Sequence, residues 1–128
     1  MNFERLSCSV GPISKGMDRS KVREILGEFN EFNKNSLAKN TTDNFFNHRA
    51  HVYYSEKNIV EGVEFVNGAN VSISGVKVFD ENFEDFLKKA ADNGLVIERD
   101  DLGAVLPDID VSLFSPEGDF IKSVYFEM

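Results

Sequence analysis

His48 and His51 are the only histidines of the 128-residue chain, and Cys8 is its only cysteine. A spacing of three could bring both imidazoles to one helix face or to neighbouring positions of a turn. A zinc site needs at least one further good ligand, for which Cys8, Asp43 and Glu56 are the candidates. Nothing in the sequence draws these together. No metal is expected, and the histidines are expected to divide, one packed at a loop–strand junction and one exposed. A nucleophilic Cys8 would need a base and an electropositive setting. His48 or His51 could serve, but no motif joins either to Ser7-Cys8-Ser9-Val10-Gly11-Pro12, so a buried, inert thiol is expected. The carboxylates could in principle supply a glycosidase-like pair. Asp108 and Asp110 read as two residues pointing the same way along a strand, and Asp100-Asp101 mark a turn, yet nothing gives them distinct surroundings. Neither G-x-x-x-x-G-K nor G-x-G-x-x-G occurs. No cofactor and no enzyme activity are expected.

Charge and aromatic placement favour recognition instead. Residues 1–64 hold nine acidic and nine basic residues, whereas 65–128 hold thirteen against five, so the net charge of −8 lies wholly in the second half. Such a field repels phosphate backbones and disfavours direct nucleic-acid binding. It attracts a basic protein surface, such as that of a nuclease, unless it serves solubility alone. Tyr53-Tyr54 and Tyr125-Phe126 each sit in a strand, where neighbouring rings face opposite sides. One of each pair belongs to the core. Tyr54 and Tyr125 are taken as candidate contacts within an acidic surface, against ordinary sheet packing.

The elements that must position these residues follow from periodicity. Asp18 can cap a helix carrying Val22, Ile25, Leu26 and Phe29 on one stripe, with Met17 and Val22 at staple spacing and Gly27 near its end. Arg19, Lys21, Arg23 and Glu24 fall mainly on its other faces. Residues 30–47 contain six asparagines and read as a loop, with a helical turn near Thr42–Phe46 and Phe45-Phe46 plugging the core. Residues 51–54 and 59–66 read as strands around a turn at 56–58, and Asn67-Gly68 as a turn. Val71, Ile73, Val76 and Val78 alternate with a phase break at Gly75. A second helix has Asp80 as its cap, Phe83, Phe86, Leu87 and Ala90 as its stripe, and Asn93-Gly94 as its stop. Strands follow at 95–98, 105–106, 109–113 and 120–126. The last of these is an edge that could pair two copies, which Lys122 and Glu127 blunt only slightly.

The order predicts an α+β fold, a mostly antiparallel sheet with two main helices packed on one face, in a single domain spanning 1–128. The two halves suggest structural repeats, but their sequence similarity is too faint to decide it. A chain of this length should expose roughly 6,800 Å² when folded, enough to close a core without disulfides. No apolar run is long enough for a transmembrane helix, and no signal peptide is read at Met1–Val10, so a cytoplasmic protein without membrane association is expected.

The segment from Ile13 to Gly27, ISKGMDRSKVREILG, resembles an opening found in small bacterial proteins, I-x-x-G-M-[ST/D]-R-x-x-V-R-x-x-L-G. Asn44-Phe45-Phe46, the hairpin from His51 to Phe65, the strand and helix from Val76 to Leu87, and a closing Ser123-Val124-Tyr125-Phe126 extend the likeness over about residues 13–127. It resembles the small immunity proteins encoded beside contact-dependent or polymorphic toxins. The opening also occurs in lipoproteins and inhibitors of the beta-lactamase-inhibitor-like fold, but no lipid-attachment cysteine context precedes it here. The resemblance implies an immunity protein that neutralises a cognate bacterial toxin domain with a basic surface, most simply a nuclease. Asp100, Asp101, Asp108, Asp110, Glu117 and Asp119 would be its anchors, with Tyr54 and Tyr125 as aromatic contacts. A small structural or adaptor protein, or a small hydrolase using Cys8 or the histidines, is the alternative.

Overall fold

The architecture was analysed in a computed structural model describing residues 1–128. In chain order the elements are β1 (Phe3–Leu6), β2 (Ser9–Val10), β3 (Ile13–Ser14), α1 (Arg19–Leu26), β4 (Asn30–Phe32), β5 (Thr42–Phe45), β6 (Ala50–Tyr54), β7 (Val60–Val66), β8 (Val71–Ile73), β9 (Val76–Lys77), α2 (Phe83–Asp92), β10 (Glu98–Asp100), β11 (Gly103–Leu106), β12 (Val111–Phe114) and β13 (Ser123–Glu127). Eight strands form an antiparallel sheet in the order β10-β11-β12-β13-β7-β6-β5-β4. Five short strands form a second sheet, β3-β2-β1-β8-β9, in which β1 and β8 are parallel. The fold is α+β, with two helices packed on one side of a predominantly antiparallel sheet.

The halves are structural repeats. Adding 61 to each residue of the β5–β6 and β6–β7 pairings, Tyr54↔Val60 beyond the β6 bulge excepted, reproduces those of β11–β12 and β12–β13: Asp43↔Val52 becomes Ala104↔Leu113, and Val52↔Val63 becomes Leu113↔Val124. Each half turns from its second strand to its third through a short 3-10 segment ending in a left-handed residue, Arg49 at φ 54° and Asp110 at φ 55°. Each helix cap bridges the hairpin of its own half, Asp18 to Ile59 and Asn82 to Phe120. The halves meet at β7 and β13, where Val63 pairs with Phe126 and Phe65 with Val124. Glu64 and Tyr125, equivalent positions, face each other on the pseudo-twofold axis.

Strand alternation sends one set of side chains toward the helices. Val52, Val63, Phe65, Val111, Leu113, Val124 and Phe126 are buried there beneath Val22 and Leu26 of α1 and Phe83, Phe86, Leu87 and Ala90 of α2. Phe65 packs between Phe3 and Phe126, tilted against the first and edge-on to the second, with ring centroids at 4.7 and 5.9 Å. The folded chain exposes 6,939 Å², as its length predicts.

Several sequence expectations are corrected. The α2 cap is Asn82, whose side chain accepts the Asp85 N–H, not Asp80. Helix α1 stops at Gly27, which takes φ 84°, so Phe29 lies outside it and packs its ring against Phe45 instead. Residues 30–32 and 42–45 are strands, not loop or helix, because Asn30, Asn44 and their neighbours find ladder partners at the sheet edge. Phe45 is buried but Phe46 is exposed. Residues 95–97 precede the strand at 98–100, and the last strand is confined to Ser123–Glu127 and is no edge, since β12 and β7 pair with it on either side.

Candidate functional site

The helices cover one side of the eight-stranded sheet. The other side carries the opposite phase of every strand, and no element lies on it. Across its middle runs a row set by register: Asn44, His51, Glu64, Tyr125, Ser112 and Val105. His51 Nδ1 stands 3.5 Å from Glu64 Oε1, and the Tyr53 hydroxyl donates to the same oxygen at 3.1 Å. The approach of His51 and the Tyr53 hydrogen bond outweigh burial and hold the Glu64 carboxyl below the ordinary glutamate value. Burial and the Glu64 charge raise the Tyr53 hydroxyl. Burial raises Tyr125 too, with Glu127, Glu61 and Glu64 adding to it. The centre of this face is therefore aromatic, with Glu61, Glu64 and Glu127 near Tyr125 and Lys34 over the Tyr53 ring.

Gly62 makes the centre possible. A Cβ there would lie 2.0 Å from the Tyr125 hydroxyl oxygen, so only glycine lets that ring lie over β7. The ring then reaches Tyr53, with centroids 6.0 Å apart. Beside Tyr125 a cleft of about 450 Å³ is lined by Leu102, Val105, Phe114, Glu64 and Asp100 among others. Leu102 is 59% exposed and Phe114 41%. Large exposed apolar side chains around half-buried tyrosines, ringed by carboxylates, have the anatomy of a protein interface.

The expected contact residues fall in three places. Asp100 and Asp101 occupy the β10–β11 turn, at the cleft, and Tyr125 stands at its wall. Glu117 and Asp119 lie exposed in the β12–β13 turn at the same end of the sheet. Asp108 and Asp110 lie at the other end of β11, about 10 Å away along the strand. They sit on the 3-10 turn and not, as expected, on a strand. The six acids thus do not form one patch. Tyr54 is corrected outright: it is 5% exposed and turned toward the helices. Tyr53 takes the outward place, because the pleat sends residues 51 and 53 outward together. Cys8 is exposed rather than buried, in the turn after β1. His48 lies on the helix side, its Nε2 3.0 Å from the Leu26 carbonyl oxygen, whereas His51 faces the open side, and both are half-buried, where one was expected to be exposed. No group of three or more His, Cys, Asp or Glu side chains converges on a point that could hold a metal ion.

The sequence reading also missed a buried ionic cluster. Asp43, fully buried on the helix side, accepts hydrogen bonds from Arg19 (2.8 and 3.3 Å), Arg23 (2.8 and 2.9 Å) and the Tyr54 hydroxyl (3.0 Å). Burial alone would raise this carboxyl, but the Arg23, Arg19 and Tyr54 hydrogen bonds hold it below its ordinary value. Arg19 is 8% exposed, on the same stripe as Val22 and Leu26 and not on another face of α1. Its position three residues before Val22 was the available signal. The equivalents in the second half are apolar: Phe83 for Arg19, Leu87 for Arg23 and Ala104 for Asp43. Arg19 also donates to Asn40 and Thr41 at 3.0 and 2.8 Å, tying the cluster to the loop between β4 and β5.

Compared with family models, curated proteins and solved structures, the chain finds a match in none of the three.

Proposed function

We propose that this chain is an immunity protein that binds and neutralises a cognate bacterial toxin domain, acting by occupancy and not by catalysis. The reading rests on one observation, the open face of the eight-stranded sheet. It offers a large surface with Glu64, Tyr125 and Tyr53 near its centre, Phe114 and Leu102 beside the cleft at Tyr125, and Asp100 and Asp101 at the β10–β11 turn. Aromatic anchors in an acidic frame suit a basic protein surface such as a nuclease cleft. The charges of the second half steer the encounter, and the aromatic centre limits dissociation. The same charge opposes direct contact with nucleic acid. No helix is long and apolar enough to cross a membrane, and we place the activity in the cytoplasm, where a producing cell must disarm such a toxin.

The His51–Glu64 pair supports a hydrolase less well. A carboxylate-oriented imidazole supplies two members of a nucleophilic triad, but no serine or cysteine is hydrogen-bonded to His51. Tyr53, the hydroxyl on the same carboxylate, is pushed away from the ionised form.

Co-expression with the polypeptide encoded immediately upstream tests the proposal. A one-to-one complex on co-purification and rescue of growth are expected. Reversal of charge at Asp100, Asp101 and Asp108 together should slow association and weaken the complex at least tenfold, most strongly at low salt. Unchanged affinity in that folded variant, or absence of both complex and rescue, overturns the reading.

A further inference from the structure

The two repeats differ most between their first and second strands. Asp101 and Leu102 alone join β10 to β11, whereas residues 33–41 join β4 to β5. The pairings on either side are equivalent, so seven residues have been inserted into an otherwise conserved hairpin plan. Nothing in the sheet requires them, since the second half closes the same hairpin without them.

The inserted loop has a fixed base and a bare tip. At the base, Thr41 Oγ1 accepts from Arg19 and donates to Glu31 at 2.8 Å each. Asn40 accepts from Arg19 and donates to the Ser55 carbonyl and Asn58 Oδ1, both at 2.8 Å. These partners include the buried cluster that replaces apolar packing in this half alone. At the tip, Leu37 is 89% exposed, the most exposed of the large apolar side chains. An isolated exposed leucine is ordinary. One carried on an inserted loop, with a dedicated polar anchorage beneath it, is not. Two lysines flank it, Lys34 over the Tyr53 ring of the open face at 4.9 Å and Lys39 beside Glu56 at 3.3 Å. The segment 33–41 has no acidic residue, whereas 98–119 has seven acidic residues and one basic.

We infer that loop 33–41 is a docking finger that seats Leu37 in an apolar socket, rimmed by carboxylates, on the protein that covers the open face. This rests on the binding role proposed above and adds to it. The partner surface has two poles: basic opposite β10 to β13, and apolar with an acidic rim opposite the finger. Such polarity fixes orientation as well as affinity, because turning the partner around sets like charges together at both ends.

The test uses the full chain and the upstream-encoded polypeptide. Leu37→Asp should weaken the complex about ten- to a hundredfold, the worth of one buried leucine, with an unchanged thermal midpoint. Leu6→Asp, at another exposed leucine far along the chain, should leave affinity unchanged. Lys34→Glu with Lys39→Glu should weaken the complex in a salt-dependent way. A wild-type complex that Leu37→Asp leaves equally tight overturns the finger and spares the immunity reading. Equal loss from Leu37→Asp and Leu6→Asp also overturns it. If the wild-type chain forms no complex, the immunity reading fails and the finger is overturned with it.

Discussion

Removing the Asp43 carboxylate should be among the most damaging single changes available in this chain, and undoing its whole cluster should be far milder. Asp43→Ala deletes the acceptor of five hydrogen bonds from Arg19, Arg23 and Tyr54. It leaves the Arg19 guanidinium, with 10% of its side chain exposed, with neutral partners at Asn40, Asn58 and Thr41 and no carboxylate nearer than Glu31 at 3.9 Å. Breaking a buried ion pair from one side costs about 3–5 kcal/mol. A chain of this length commonly has about 6–19 kcal/mol in all. At about 3–5 °C per kcal/mol for this size, the midpoint should fall by about 10–20 °C. The second repeat supplies the control, because it fills the same positions with Phe83, Leu87 and Ala104. Arg19→Phe, Arg23→Leu and Asp43→Ala, made together with Tyr54→Phe to avoid an orphaned hydroxyl, should return to within about 2 kcal/mol of the parent. The chain lacks tryptophan, so urea unfolding is best followed by far-ultraviolet circular dichroism. A single variant that loses less than about 1 kcal/mol, or a quadruple variant that falls as far as the single one, would refute the argument. In the quadruple variant, amide exchange at residues 40 and 41 should quicken, because the loop base has lost Arg19.

Acid should act through the same group. The folded pKa of Asp43 lies below its unfolded value, so its contribution is full above about pH 4 and is lost as pH falls through the folded value. Wild-type stability should therefore drop more steeply than that of Asp43→Asn below pH 4, with parallel curves from pH 5 to 8, as midpoint scans across buffers would read. Gly62→Ala should displace the Tyr125 ring while keeping the fold, because no positive φ is required at that position. Near-ultraviolet dichroism of the tyrosines should change, affinity for the proposed toxin partner should fall at least tenfold, and the midpoint should move by only a few degrees. Asn82→Ala should cost about 1 kcal/mol by loss of the α2 cap, while Asp80→Ala should cost little, in matched urea titrations.

Much of this architecture was legible because its signals are local. Asp18 and Gly27 bound α1, and Phe83, Phe86, Leu87 and Ala90 form the buried stripe of α2, as spacing and cap chemistry require. The β-branched and aromatic content of residues 59–66 marked one central strand, but the strand read at 120–126 was expected at an edge, whereas β13 lies between β12 and β7 in the middle of the sheet. The short strands at 30–32 and 42–45 were not legible, since asparagine favours turns locally and only the cross-strand ladder overrides it. The second-helix cap slipped by two residues because Asp80 and Asn82 are equally good caps in isolation. The acids were legible as charge but not as places: a count along the chain sees 100, 101, 108 and 110 as one run, whereas strand β11 carries the last two to the opposite end of the sheet. Tyr54 was misplaced because two adjacent tyrosines give no clue to the phase of a pleat. The phase is set by Val52, which shares the inward side with Tyr54. The repeat itself was hidden because few of its equivalent residues are identical, Val63 with Val124 and Phe65 with Phe126 among them, while the pairing plan of the strands is preserved.

The seam between the repeats also governs the order in which this protein can be completed. Strand β7 finds its outer partner only in β13, the last strand of the chain. Until residues 123–127 have been synthesised and have emerged, the first half holds β7 as a bare edge, with Val63 and Phe65 waiting for Phe126 and Val124. The equivalence of β7 and β13 means that the best substitute for the missing strand is the β7 of another nascent copy, placed antiparallel about the same axis. A chain truncated before residue 123 would thus carry a built-in route to homodimers, and the two halves, separated near residues 67–70, would form a natural pair for reassembly as independent fragments.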